Sequence, residues 1–281
     1  MMRILLFIAL FSSSFAVFSQ TPITLQSDRP GIGYNANTVG KGVVLHQVGY
    51  QWSRSNVLYW YIDNHDMTSN VRVGILKDLE VHWNFNYNFS KTATDLPASD
   101  PRRQFFTDES NHGVSLTSFG ARYRFLSGTG WKPTIAVMVD FETPLVSLDY
   151  RGNTPTGNAL LISNWNYESG LFWGITTGVT QIGRSNTIPY AINFGSGIGS
   201  RWSVFIEYYG SFSRYESFGT PYNVLTNGFD GGLTFLAHSN IVLDASAGWQ
   251  NINDEGNAGI RDSFFVSAGL TWAIQAWSKS K

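Results

Sequence analysis

The sequence predicts an all-β fold, a transmembrane antiparallel up-and-down β-barrel of about 12 strands, and three observations carry that expectation. The first is an alternation. From Leu79 to Phe89 every odd position is apolar or aromatic (Leu79, Val81, Trp83, Phe85, Tyr87, Phe89) and every even one is polar (Glu80, His82, Asn84, Asn86, Asn88). Successive side chains of a strand point to opposite faces, so one face is greasy along its length and the other is wet. A soluble sandwich strand shows this over roughly five or six residues, whereas a tilted strand needs about 9 to 11 to cross a bilayer. The second observation is composition: 14% charged and 43% hydrophobic residues, with no long apolar run in the body of the chain. An ordinary soluble domain carries about 25% charge, and a barrel reconciles a charge-poor surface with the missing apolar helix. The third is an alternation of short and long connections, which outer-membrane barrels show as periplasmic turns and extracellular loops.

Residues 1–19 read as a secretory signal, with Arg3 as its charged start, Ile4 to Phe11 as its apolar core and Val17-Phe18-Ser19 at the cleavage end. The competing reading, an amino-terminal anchor, is opposed by Ser12-Ser13-Ser14, which interrupts the run. An exported β-barrel implies a Gram-negative outer membrane, with its lipid as a partner. Residues 20–41 form a polar, turn-rich periplasmic segment containing Ser27-Asp28-Arg29-Pro30-Gly31, residues 42–274 the barrel, and residues 275–281 a tail. A formal net charge of -1 gives no reason to expect nucleic acid or an acidic partner. The absence of cysteine excludes disulfides, thiol catalysis and a lipid-modified cysteine.

Gly42 to Ser53 is the first strand, with Val44, His46, Val48, Tyr50 and Trp52 outward and Gln47 and Gln51 inward. Thr68 to Ile75 is the second, with Val71, Val73 and Ile75 outward and Arg72 inward, and Leu79 to Phe89 is the third. Parity decides the turn between them, because a slip of one residue flips every side chain. A turn at Leu76-Lys77-Asp78 pairs Val73 with Val81 and sets Arg72 opposite His82, diagonal to Glu80. The same rule gives strands at 114–126, 133–142, 159–167, 171–181, 188–197, 202–213, 226–236, 241–250 and 262–274. The segments 76–78, 127–132, 168–170, 198–201 and 237–240 are then short inner turns, 54–67, 91–113, 143–158, 214–223 and 251–261 are long, polar outer loops, and only 182–187 is brief for an outer loop. Trp52, Tyr87 and Tyr190 fall near outer ends, and Tyr123, Trp165, Trp173, Trp202 and Trp272 near inner ends, as two interfacial girdles require.

Several stretches carry a family likeness: Asp28-Arg29-Pro30, Val71-Arg72-Val73-Gly74 with Leu79-Glu80, Gly120-Ala121-Arg122-Tyr123-Arg124, and Asp230-Gly231-Gly232-Leu233 with Asp244-Ala245-Ser246-Ala247-Gly248. Together they resemble the outer-membrane family named for the meta-pathway of phenol degradation, over nearly all of the mature chain. The resemblance implies a transporter or channel and points to small aromatic solutes. Gln47 stands where that family has an acidic residue, and the chain runs past Ile274 to Lys281 without the terminal aromatic of such barrels.

Candidate chemistry is sparse. Outer-membrane lipases place a serine and a histidine on the lipid-facing wall, and His46 has outward parity. Its neighbouring strands offer only Ser69, expected near the opposite boundary and so out of hydrogen-bond reach. His65, His82, His112 and His238 show no metal-ligand spacing. Gly195-Ser196-Gly197-Ile198-Gly199 superficially suggests a phosphate loop, but it enters an inner turn with no helix behind it. No cofactor and no catalysis are expected.

Lumenal charge says more. Inward parity collects Arg72, Glu80, Arg122 and Arg124 on strands two to four, with His82 beside them, and Glu207, Asp230 and Asp244 on strands nine to eleven. Asp140 and Glu142 point inward near the outer end of strand five. Arg72, Glu80 and Arg124 are expected to form one cluster. The basic and acidic sectors face each other across the lumen and set up a transverse field that orients a dipolar solute. The reading is an outer-membrane channel that passes a small polar or aromatic solute passively. A structural or interaction barrel with a closed lumen, and an outer-membrane acyl hydrolase using His46, are the alternatives. Oligomeric state is left open.

Overall fold

The protein is described by a computed structural model covering residues 25, 27–29, 31–57, 59–96, 99–105, 108–151, 156–182, 185–217, 220–254 and 259–277. The signal expected over residues 1–19 lies outside these residues, as does the end of the tail, 278–281. The strands are β1 Val43–Val57, β2 Trp60–Gly74, β3 Leu79–Thr94, β4 Glu109–Leu126, β5 Thr134–Glu142, β6 Thr156–Asn166, β7 Leu171–Ile182, β8 Ser185–Ile198, β9 Trp202–Ser217, β10 Thr220–His238, β11 Ile241–Asp254 and β12 Gly259–Gln275. Each pairs antiparallel with its sequence neighbours, and β1 with β12, so the sheet closes on itself. Closure leaves no strand edge, which is what allows β-structure to span lipid.

The two faces separate as the alternation predicts. On β5, Thr134, Ala136, Met138 and Asp140 are buried inside, whereas Val137, Val139 and Phe141 are exposed outside. Ile206 is 67% exposed on a strand whose inward neighbour Glu207 is 3% exposed, an inversion that makes sense only against lipid. Aromatics ring the inner rim, where Trp165 and Trp173 stack at 3.8 Å and Trp202 meets Phe235 at 4.5 Å. Trp52 packs edge-on against Phe264 at 5.1 Å toward the loop end. This is the architecture of a Gram-negative outer-membrane barrel.

The register between β2 and β3 is the one parity selects: Val73 opposite Val81 and Arg72 opposite His82. The outer ends differ from expectation. Residues 54–67 are not a loop, because β1 continues to Val57 and β2 begins at Trp60. Arg54 and Asp63 pair there at 2.7 Å, with the guanidinium 4.7 Å from the Tyr61 ring. The ladder likewise extends β3, β4, β10 and β11 into their expected outer loops. Above the bilayer both faces of a strand are wet, so the alternation fades while the backbone ladder continues. The glycine-rich end of β8 enters an inner turn at Gly199, whose φ of +66° suits glycine.

Candidate functional site

Residues 27–29 and 31–41 do not lie below the barrel; they run through its lumen without regular structure. A buried irregular segment must find partners for its backbone N–H groups, and here the barrel wall supplies them. Glu207 on β9 accepts from Ile32 N (2.7 Å) and Gly33 N (2.8 Å). Thr176 on β7 accepts from Tyr34 N (3.1 Å), Asn164 on β6 from Ala36 N, and Glu80 on β3 from Val39 N (2.8 Å). The Gln47 amide on β1 meets Ser27 Oγ at 2.8 Å. Much of the polar lining is therefore complementary to the chain's own amino-terminal segment.

Two adjacent residues of that segment clamp it to two different sectors of the wall. The Asp28 carboxylate takes Arg122 Nη2 at 2.8 Å and Arg72 Nη1 at 3.1 Å. Glu80, fully buried, holds the same two cations: Arg72 Nε at 2.8 Å and Arg122 Nε at 3.6 Å. Burial by itself pushes the Asp28 carboxyl up, but the guanidiniums of Arg122 and Arg72 outweigh it and hold the group below the ordinary carboxylate range. Arg29 reaches the other way, giving Nη2 to Asp244 Oδ1 (3.1 Å) and to Ser267 (2.8 Å), with Nη1 3.4 Å from Thr68 Oγ1. Its slot exists because Gly49 and Gly269 pair across β1 and β12. A Cβ at Gly49 would lie 2.2 Å from Arg29 Nη1, and one at Gly269 2.4 Å from Nε.

The sequence-predicted residues divide accordingly. Arg72, Glu80 and Arg122 come together. Arg124 does not join them: register sets Arg122 directly opposite Glu80, and Arg124 lies beyond the start of β3, bonded to Asp78 (Nη2 2.5 Å) and Asn37 Oδ1 (3.0 Å). His82 meets Asp140 at 2.5 Å, and Glu142 lines the outer part of the lumen. Asp244 and Glu207 are taken up by the segment. The expected open transverse field is reduced here, because Asp28 pairs with Arg72 and Arg122 and Arg29 pairs with Asp244. Sequence reading missed Asp28 and Arg29 as lumenal groups and the Gly49–Gly269 slot; the Asp28-Arg29-Pro30 likeness was the available signal.

Asp230 stands apart. It is buried, sits across the ladder from Glu207, and neither carboxylate oxygen has a hydrogen-bond partner among the described residues. An unpartnered buried charge is costly, and an amide removes that charge with little change of volume. Asp230→Asn should raise stability by about 1–3 kcal/mol in urea unfolding. A variant no more stable than wild type would show that Asp230 carries no such cost.

On the outer face the structure corrects the expectation for His46. Ser69 lies in mid-strand, because β2 starts at Trp60, and its Oγ is 2.8 Å from His46 Nε2. The ring also packs 4.3 Å from Trp272. Among the described residues no carboxylate or amide orients the second histidine nitrogen. The strand N–H groups around the pair lie in the paired β1–β2 ladder and are taken up by it. Among the described residues no histidine, aspartate and glutamate group is placed to hold a metal ion.

No family model and no curated protein sequence matches the chain. Among solved structures, an outer-membrane channel from Pseudomonas putida F1 is similar, with a TM-score of 0.62 and 11% identity over 87% of this chain and 99% of that one. The β domain of the Bordetella autotransporter BrkA is similar with a TM-score of 0.50 and 9% identity over 83% of this chain and 100% of that one. At these identities the likeness establishes the barrel fold.

Proposed function

We propose that this barrel is a passive channel for a small solute, closed by its amino-terminal segment and opened when that segment withdraws. One observation carries the reading. The lumen holds two cavities, of about 550 Å³ toward the inner turns and about 380 Å³ toward the outer loops, and Asp28, Arg29, Gly31 and Tyr34 line both. The segment is the partition between them. A barrel built only as a scaffold gains nothing from unfilled space on both sides of a removable strip of chain. The resemblance to a transporter family and the fold shared with an outer-membrane channel support the same reading. The mixed polar and aromatic lining, with Asn164, Asn193, Phe172 and Phe205 around the inner cavity, suits a small polar or amphipathic solute.

A cysteine lock tests it. A Cβ at Gly33 would stand 3.5 Å from Ala191 Cβ on β8, at the short end of disulfide geometry, and the flexible tips of Glu207 and, slightly, Asn193 must move. The chain has no native cysteine, so Gly33→Cys with Ala191→Cys makes a single reversible tether. In planar bilayers the oxidised variant should be silent, and reductant should restore conductance. Equal conductance in both states would rule out gating by the segment, and none in either state, or in wild type, would favour the closed structural barrel.

A further inference from the structure

Given that channel reading, we infer that the solute is dipolar, carries a carboxylate and a guanidinium at about dipeptide separation, and occupies the places that Asp28 and Arg29 hold in the closed state. The segment is then a built-in competitor of its own cargo.

The charges left behind by withdrawal lead to this class. On one wall, Arg72 and Arg122 surround the single carboxylate of Glu80, and Asp28 is the anion that completes their coordination. Arg72 and Arg122 also donate to the Asn37 and Asn35 carbonyls of the segment, so withdrawal takes away these acceptors together with the anion and leaves two neighbouring guanidiniums on one carboxylate. Farther round the wall, beyond β1 and β12, Asp244 loses Arg29, the cation whose fork bonds it through Nε and Nη2. Those two places do not relax toward each other, because Arg72 and Arg122 belong to β2 and β4 and Asp244 to β11 of one closed sheet. An open lumen therefore presents an anion receptor and a cation receptor at fixed separation. Their spacing is one that side chains of adjacent residues already bridge, with Cα atoms about 3.8 Å apart.

The cation receptor is also selective. Gly49 and Gly269 leave a flat slot for a planar group, and Asp244 with Ser267 accepts from two edges of it. That matches a guanidinium better than a compact ammonium. A neutral aromatic entering the same space leaves both receptors unpaired, the kind of mismatch that polar sites reject strongly.

Competition with the cysteine lock reads binding separately from conduction. The rate of disulfide formation in the reduced Gly33→Cys/Ala191→Cys barrel is followed with aspartyl-arginine, argininamide, N-acetyl-aspartate or phenol present. Aspartyl-arginine should slow locking, with a half-effect concentration at least about tenfold below that of either singly charged probe, and phenol should have no effect. Adding Asp28→Asn, which weakens the segment and leaves the barrel wall intact, should lower the dipeptide's half-effect concentration by about tenfold. Equal slowing by phenol, equal potency of the single charges, no effect of any probe, or an unchanged concentration in the Asp28→Asn background would each overturn the inference. A reduced barrel that binds the dipeptide but does not conduct would instead overturn the channel reading and leave this site standing.

Discussion

Glu80→Ala is expected to cost about 3–5 kcal/mol of stability, the range for removing one partner from a buried ion pair. The carboxylate is fully buried and accepts from Arg72 Nε (2.8 Å), Arg72 Nη2 (3.0 Å) and Val39 N (2.8 Å). Without it Arg72 and Arg122 repel each other with only Asp28 between them, and the Val39 N–H loses its acceptor. Glu80→Gln keeps the volume and one acceptor, so it should fall between wild type and alanine. Urea unfolding in lipid vesicles, followed by tryptophan fluorescence, gives the order. A Gln variant as stable as wild type, with an Ala variant within about 1 kcal/mol of it, would mean that hydration replaces the cluster at no cost.

The largest functional effect is expected from Gly269→Leu. A side chain at this position occupies the space of the Arg29 guanidinium, since even its Cβ would stand 2.4 Å from Nε and 2.8 Å from Cζ. Arg29 must leave, and with it go its bonds to Asp244 and Ser267. Hydrogen bonds involving a charge contribute about 1.5–3 kcal/mol each, so docking should weaken by at least about tenfold, and by at least about a hundredfold if both bonds count fully. The variant should be open for a correspondingly larger fraction of time in planar bilayers, and Gly269→Ala should show a smaller change in the same direction. Wild-type open fractions in both would show that the Arg29 slot does not hold the segment in place.

Side-chain periodicity, with composition and the alternation of connection lengths, determined the fold class and the strand count, and periodicity set the face of the residues in the regular part of each strand. Parity is a local property: once Leu79 is outward, Glu80 is inward, whatever the rest of the molecule does. It also set the β2–β3 register, because only one turn length keeps two short-linked strands in phase. Across long connections parity fixes the face but not the offset, which is why Arg124 was expected where the ladder places Arg122. The outer ends of the strands were hidden for a related reason, since polar residues on both faces carry no alternation, and that in turn misplaced Ser69 relative to His46. The path of residues 27–29 and 31–41 was decided only in three dimensions. An irregular polar segment has no periodicity to read. Its place is set by carboxylates, amides and a hydroxyl contributed from β1, β3, β6, β7, β9 and β11, residues that become neighbours only when the barrel closes.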